Sequence, residues 1–171
     1  MRLGLLAVVF CLVASATVRS QSVDDPVLRA QLESLFPQAE SFSPKQGSPP
    51  HFKAFGPGGE GELLGLAFWT TELEPLERAY DGPIKILVGM DTDGMLTGII
   101  VVEHREPYGY FSIDLPEFPT QFDGKSVRDR FRVGEDIDSF SRATVTVGSA
   151  ARAVRNSARR IARAHLTPPS Q

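Results

Sequence analysis

The sequence predicts an α+β domain: an antiparallel sheet with flanking helices and a C-terminal helix packed on the sheet. Three observations predict it. Two β-rich runs, 84–90 and 95–102, flank Asp91-Thr92-Asp93-Gly94, a short Asp/Gly turn of the kind that closes a hairpin. Residues 147–165 carry Val147, Ala150, Val154, Ala158 and Ile161 at helical spacing, which gives one small-residue apolar face. Residues 63–71 form an apolar run around Phe68-Trp69 and read as a buried strand, with Trp69 in the core.

The chain opens with a basic Arg2, an apolar run from Leu3 to Ala14 and the small-residue site Ala14-Ser15-Ala16. This is the pattern of a secretory signal, cleaved after Ala16 so that the mature chain begins near Thr17. The apolar run falls short of the roughly 20 residues a spanning helix needs. An uncleaved anchor is the alternative. The mature protein is expected outside the cytoplasm, in the periplasm, either soluble or tethered at the outer face of the inner membrane. Cys11 is the sole cysteine and would leave with the signal. That excludes disulfides, iron–sulfur clusters and thiolate chemistry in the mature chain. His51, His104 and His165 are far apart and show no metal-ligand spacing.

Residues 24–36 read as a helix: Asp24 or Asp25 supplies the N-cap, Pro26 suits the first turn, and Pro37 ends it. Residues 41–61 are rich in Pro, Gly and Ser and read as loop, with one short strand near His51–Phe55. Asp91-Thr92-Asp93-Gly94 also resembles the start of a calcium loop, but the twelfth position is Val102 where a Glu is required, so the turn reading wins. Residues 105–124, with Tyr108, Tyr110, Phe111, Phe118 and Phe122, read as an ordered aromatic loop with room for a short strand or helical turn, either a cover for a planar cofactor or the lid of an ordinary core. The expected organisation is a signal peptide over 1–16, an N-terminal helix and Pro/Gly-rich loop over 17–61, and a cofactor-binding domain over 62–167.

Charge is uneven. Of 18 basic residues, five arginines fall in 148–171, where none of the 21 acidic residues lies. Arg152, Arg155, Arg159 and Arg163 share the polar face of the predicted C-terminal helix, whose N-cap is assigned to Thr146. A basic face on an acidic body fits nucleic acid in principle, but the secretory leader excludes that partner. Two readings remain: a solvated face, or a docking surface for an acidic redox partner or anionic lipid headgroups.

The remaining motif is Asp138-Ser139-Phe140-Ser141-Arg142-Ala143-Thr144-Val145-Thr146. It resembles the Asp-x-x-Ser/Thr-Gly-Ala-Thr signal of flavoproteins that carry FMN on a threonine through a phosphoester. Further matches follow in order. Residues 82–91 and 98–107 are similar to the first two strands and the His-x-Glu-Pro turn of the FMN-binding domain in the nitrous-oxide-reductase regulator family. Residues 121–125 and 134–138 continue the pattern. The one departure is Arg142, where that family usually has Gly.

The resemblance implies an FMN protein with the flavin phosphate on Thr144. Ser141 and Thr146 would supply hydroxyl hydrogen bonds to the phosphate. Ala143 would leave access to the hydroxyl, and Arg142 would either hinder the modifying enzyme or pair with the phosphate. His104 and Glu106 fall in the flavin-adjacent turn. It implies a periplasmic electron carrier, loaded by a flavin transferase and passing electrons to or from a membrane-bound respiratory redox complex or another periplasmic electron-transfer partner. Full members of that family continue into membrane helices and cysteine clusters; with neither before Gln171, the expectation is a shuttle or a subunit docked on a separate membrane protein. A non-redox binding or assembly module that keeps the fold without flavin is the alternative, which Arg142 favours. A flavin enzyme with its own substrate ranks third, for want of a nucleophile–base pair.

Overall fold

The structure is a computed structural model that describes Val23 and residues 25–166. The signal-peptide assignment over 1–16, its cleavage site and Asp24 lie outside the described residues. Helix α1 (Pro26–Leu35) begins at Asp25, whose side chain accepts the Val27 N–H at 2.9 Å. Five strands follow: β1 (Ser41–Phe42), β2 (Phe52–Phe55), β3 (Leu63–Trp69), β4 (Lys85–Asp91) and β5 (Leu96–Glu103). All pair antiparallel with their sequence neighbours, in the spatial order β1-β2-β3-β4-β5. Three helices complete the domain: α2 (Thr70–Leu73), α3 (Glu117–Thr120) and α4 (Thr144–His165).

The sheet is covered on both faces, which is why its strands read as nearly continuous apolar runs rather than clean alternations. Leu28, Leu32, Leu35 and Phe36 pack on one face against Phe52, Ala54, Ala67, Trp69 and Leu87. On the other face Leu66, Phe68, Ile86, Val88 and Met90 meet α4 through Val147, Ala150, Val154, Ala158 and Ile161, all five fully buried. The helical spacing in the sequence therefore identifies the packed face of α4. Burial of Val154 and Ile161 stabilises the fold by roughly 1.5–3 kcal/mol each.

The hairpin forms as predicted, with Asp91 Oδ1 accepting the Asp93 and Met95 N–H groups and so closing the turn. Within it Gly89 pairs with Gly98 and Met90 with Leu96, leaving Thr97 as an extra residue on β5. A Cβ on Gly89 would overlap Thr97 Oγ1, so this β-bulge needs glycine opposite it.

The structure departs from the sequence reading in four places. Ser41–Phe42 is a strand inside the segment read as loop, and β1 and β2 join the same sheet as β3. The strand over 63–71 stops at Trp69 because the buried Thr70 hydroxyl donates to Ile84 O and accepts from Ile86 N, turning the chain into α2. Helix α4 starts at Thr144, and its N-cap is Ala143 rather than Thr146. The arginine face of α4 is also largely engaged within the chain. Arg152 pairs with Glu77 at 2.8 Å, and Arg159 donates to the carbonyls of Val127 and Asp129 at 2.9 and 2.8 Å. Arg155 reaches the carbonyl of Arg130. The reading of Arg152, Arg155 and Arg159 as a free docking stripe is corrected accordingly.

Candidate functional site

The first turn of α4 gathers the residues singled out in the sequence. Thr144 opens the helix and is exposed, while Ala143 before it is fully buried and anchors the turn in the core. No side chain caps this end of the 22-residue helix. The leading N–H groups of a helix have no partner inside it, and the dipole there favours an anion. Ser141 and Arg142 stand just upstream, both exposed. The loop is held by Asp138 N–H, which donates to Gln121 Oε1 at 2.6 Å, and by Ala143 N–H, which donates to Phe140 O at 3.0 Å.

Arg142 has φ 65°, the left-handed region where glycine is at ease. The backbone thus takes the path a glycine would take, with the arginine side chain directed out to solvent-exposed space. The departure from the resembled motif is one of side chain, not of loop conformation.

Thr146 is buried and turned inward. Its hydroxyl donates to Glu106 Oε2 at 2.7 Å. The same carboxylate, 6% exposed, accepts the backbone N–H groups of Tyr80 at 3.2 Å and Asp81 at 2.8 Å. Burying a carboxylate is costly unless donors surround it, and three donors surround this one. Glu106 therefore binds together three stretches far apart in sequence: residues 79–82, the 104–111 loop and the start of α4.

His104 orders that loop from within. Its Nδ1 accepts the Glu106 N–H at 3.1 Å, which leaves the proton on Nε2, where it donates to Asp114 Oδ1 at 2.7 Å. Gly109 packs so closely against the ring that a Cβ there would overlap His104 Cε1. The structure thus brings Glu106 and Thr146 into direct contact and gives His104 a place behind them, with both ring nitrogens engaged. Ser141, Arg142 and Thr144 form the exposed rim, with Ala143 buried beneath them.

Sequence reasoning missed two contributors. The stretch 74–81 is strapped along α4, with Glu74 3.6 Å from Arg160, and Glu77 bonded to Ser149 and Arg152. Tyr80 stands at its end. No local pattern signals these contacts, because the partners lie 72 to 86 positions away, well outside any sequence window. Among the described residues there is no group of three or more His, Cys, Asp or Glu able to hold a metal, and no helix long and apolar enough to cross a membrane.

Residues 79–159 match the sequence model of the FMN-binding domain. These residues belong to the FMN-binding domain family. FMN is accordingly the cofactor of the domain. The stretch of the FMN-binding domain runs from the strap beside Tyr80 through β4, β5 and the Glu106 brace into α4, and so includes every candidate residue. The chain is also similar to bacterial proteins named as a subunit of the ion-translocating oxidoreductase complex. The protein from Vibrio vulnificus is 34% identical over 87 residues, covering 45% of this chain and 41% of that protein. The Pectobacterium atrosepticum protein is 29% identical over 169 residues, covering 91% of this chain and 77% of that protein. The Pseudomonas aeruginosa protein is 38% identical over 90 residues, 47% and 42% of the two chains. The chain thus aligns with less than half the length of the Vibrio and Pseudomonas relatives.

The residues present fit the cofactor. An exposed threonine at an uncapped helix start suits a phosphate ester, and it follows the left-handed Arg142 and the buried Ala143.

Proposed function

We propose that this chain is an FMN electron-transfer protein with the flavin covalently attached through its phosphate to Thr144. It works outside the cytoplasm, in the periplasm, as a subunit or partner of a membrane-bound redox complex. A flavin transferase loads it. The observation that carries the reading is the position of Thr144: an exposed hydroxyl in the uncapped first turn of α4, inside the stretch that matches the FMN-binding domain. The names of the oxidoreductase-complex relatives support the redox complex as partner.

The isoalloxazine ring supplies the electron chemistry; the chain binds it, orients it and sets its surroundings. Thr144 provides the ester oxygen. The first-turn N–H groups of α4 would receive the phosphate, and Ser141 and Arg142 would supply a hydroxyl and a guanidinium to it. Thr146 and Glu106 hold the helix start and the 104–111 loop in register, and His104 stiffens the loop.

Thr144→Val tests the proposal, since valine keeps the shape and removes the only oxygen. The parent and variant are co-expressed with a flavin transferase and inspected for flavin fluorescence on a denaturing gel and for added mass. A fluorescent band in the parent and none in the variant is the expected result. No band in the parent, or a band that survives in Thr144→Val, overturns the covalent assignment.

A further inference from the structure

The turn that joins β1 to β2 carries a histidine held in one tautomer. His51 is 2% exposed. Its Nδ1 lies 2.9 Å from the carbonyl oxygen of Pro49. A carbonyl only accepts, so Nδ1 carries the proton and donates. In the neutral ring Nε2 is then a bare lone pair. That atom is buried and has no hydrogen-bond partner. Few buried polar atoms go unpaired, and each that does has a reason. Gly47 packs close against the ring, where a Cβ would come within 2.6 Å of His51 Cε1.

The ring beside it is a second imidazole. Phe52 packs on the α1 side of the sheet, so His51, one residue earlier, is turned toward the α4 side. There it meets His165 in the last turn of α4, with ring centroids 4.3 Å apart and planes inclined by 60°. His165 is exposed. Nothing in the spacing of the two residues along the chain signals this pair; the fold makes it.

A histidine that binds a metal usually donates its other ring N–H to a carbonyl or carboxylate, which fixes the ring and raises the basicity of the ligating nitrogen. His51 has that arrangement, with Pro49 as the acceptor. Imidazole suits zinc, copper and nickel, whereas magnesium and calcium take oxygen ligands. An ion entering at the usual zinc–nitrogen distance of about 2.0–2.1 Å meets a fixed His51 and an exposed His165 able to tilt. Lys53 also bears on His165, and its positive charge lowers the affinity for any cation there.

We infer that His51 and His165 form a two-histidine site for a divalent transition-metal ion of the zinc and copper class. His51 Nε2 is the fixed ligand, and water completes the shell. The ion ties the β1–β2 turn to the close of α4, at the end of the helix away from Thr144. The site is independent of the flavin assignment.

The test uses the full, untagged chain with isotope-labelled histidine, observed through its ring-nitrogen NMR signals. His51, His104 and His165 are assigned by the loss of one ring in each His→Asn variant. Zinc chloride is titrated in, with magnesium chloride as the control. His51 Nε2 and a ring nitrogen of His165 should shift together and saturate at a single ion per chain. His104, with both ring nitrogens engaged, should not move. His165→Asn alters an exposed position and leaves the core intact. Zinc affinity should fall there by about tenfold or more, since even the outer-shell support of a ligand is worth that. The His51 signal should then stay in place at the zinc concentrations that shift it in the parent. Movement of His165 alone marks an adventitious surface ion and overturns the site. A His51 shift that persists undiminished in His165→Asn overturns the pairing, and no zinc-dependent shift of either ring leaves Nε2 as an unpaired acceptor beneath a stacked ring.

Discussion

The hydroxyl of Thr146 donates to the buried carboxylate of Glu106 at 2.7 Å, across 40 residues of sequence. This bond replaces the N-capping role that its position suggested. Thr146→Val removes the donor and keeps the shape, leaving the carboxylate with two backbone donors. A hydrogen bond to a charged group contributes about 1.5–3 kcal/mol, and a loss of that size should appear in urea denaturation. An unchanged midpoint would assign the anchoring of Glu106 to Tyr80 and Asp81 alone.

Arg142→Gly should stabilise the fold slightly. A left-handed residue with a Cβ costs about 1–2 kcal/mol, and glycine at φ 65° relieves it. Glycine's greater freedom in the unfolded chain returns about 0.5–1 kcal/mol of that gain. A small rise in thermal midpoint is expected, with flavin loading kept, since the loop already follows a glycine-like path. A fall in midpoint would mean that the arginine side chain contributes more than its backbone costs.

His165, in the last turn of α4, stacks on His51 with ring centroids 4.3 Å apart. Burial, then the neighbouring His51 and Lys53, hold the His165 imidazole below its ordinary value of 6.5. The folded chain therefore binds fewer protons here than the unfolded chain at mildly acid pH. The stability this contributes is present above about 6.5 and is lost as pH falls through the lower folded value. Urea midpoints at about pH 7.5 and about pH 5 should differ more in the parent than in His165→Asn. Equal differences would show that His165 does not report the acid sensitivity of the fold.

The parts of this fold legible in the sequence are those set by short-range periodicity. The 84–90 and 95–102 runs and their Asp/Gly turn announce the hairpin, and Val147 to Ile161 announce the buried face of α4. Thr144 is singled out by a local motif, and the structure places it in the first turn of α4. What escaped depends on partners remote in sequence. Ser41–Phe42 becomes a strand only because Phe55 and Ala54 pair with it. Thr70 ends β3 through carbonyl and N–H groups 14 and 16 residues away. The arginine face looked free because Glu77, which binds Arg152, lies 75 residues upstream. Glu106 and His104 were picked out by motif, but their bracing contacts required the folded chain.

Helix α4 rises about 1.5 Å per residue, so its 22 residues separate Thr144 from His165 by roughly 33 Å. The domain therefore has two well-separated ends along α4. The 138–144 rim and the Glu106 brace lie at one pole, while the His51–His165 stack and the close of α4 occupy the other. If Thr144 carries the flavin, as proposed, a partner that exchanges electrons with it approaches the first pole. The second pole carries none of the residues proposed to hold the cofactor, so changes there leave that approach open.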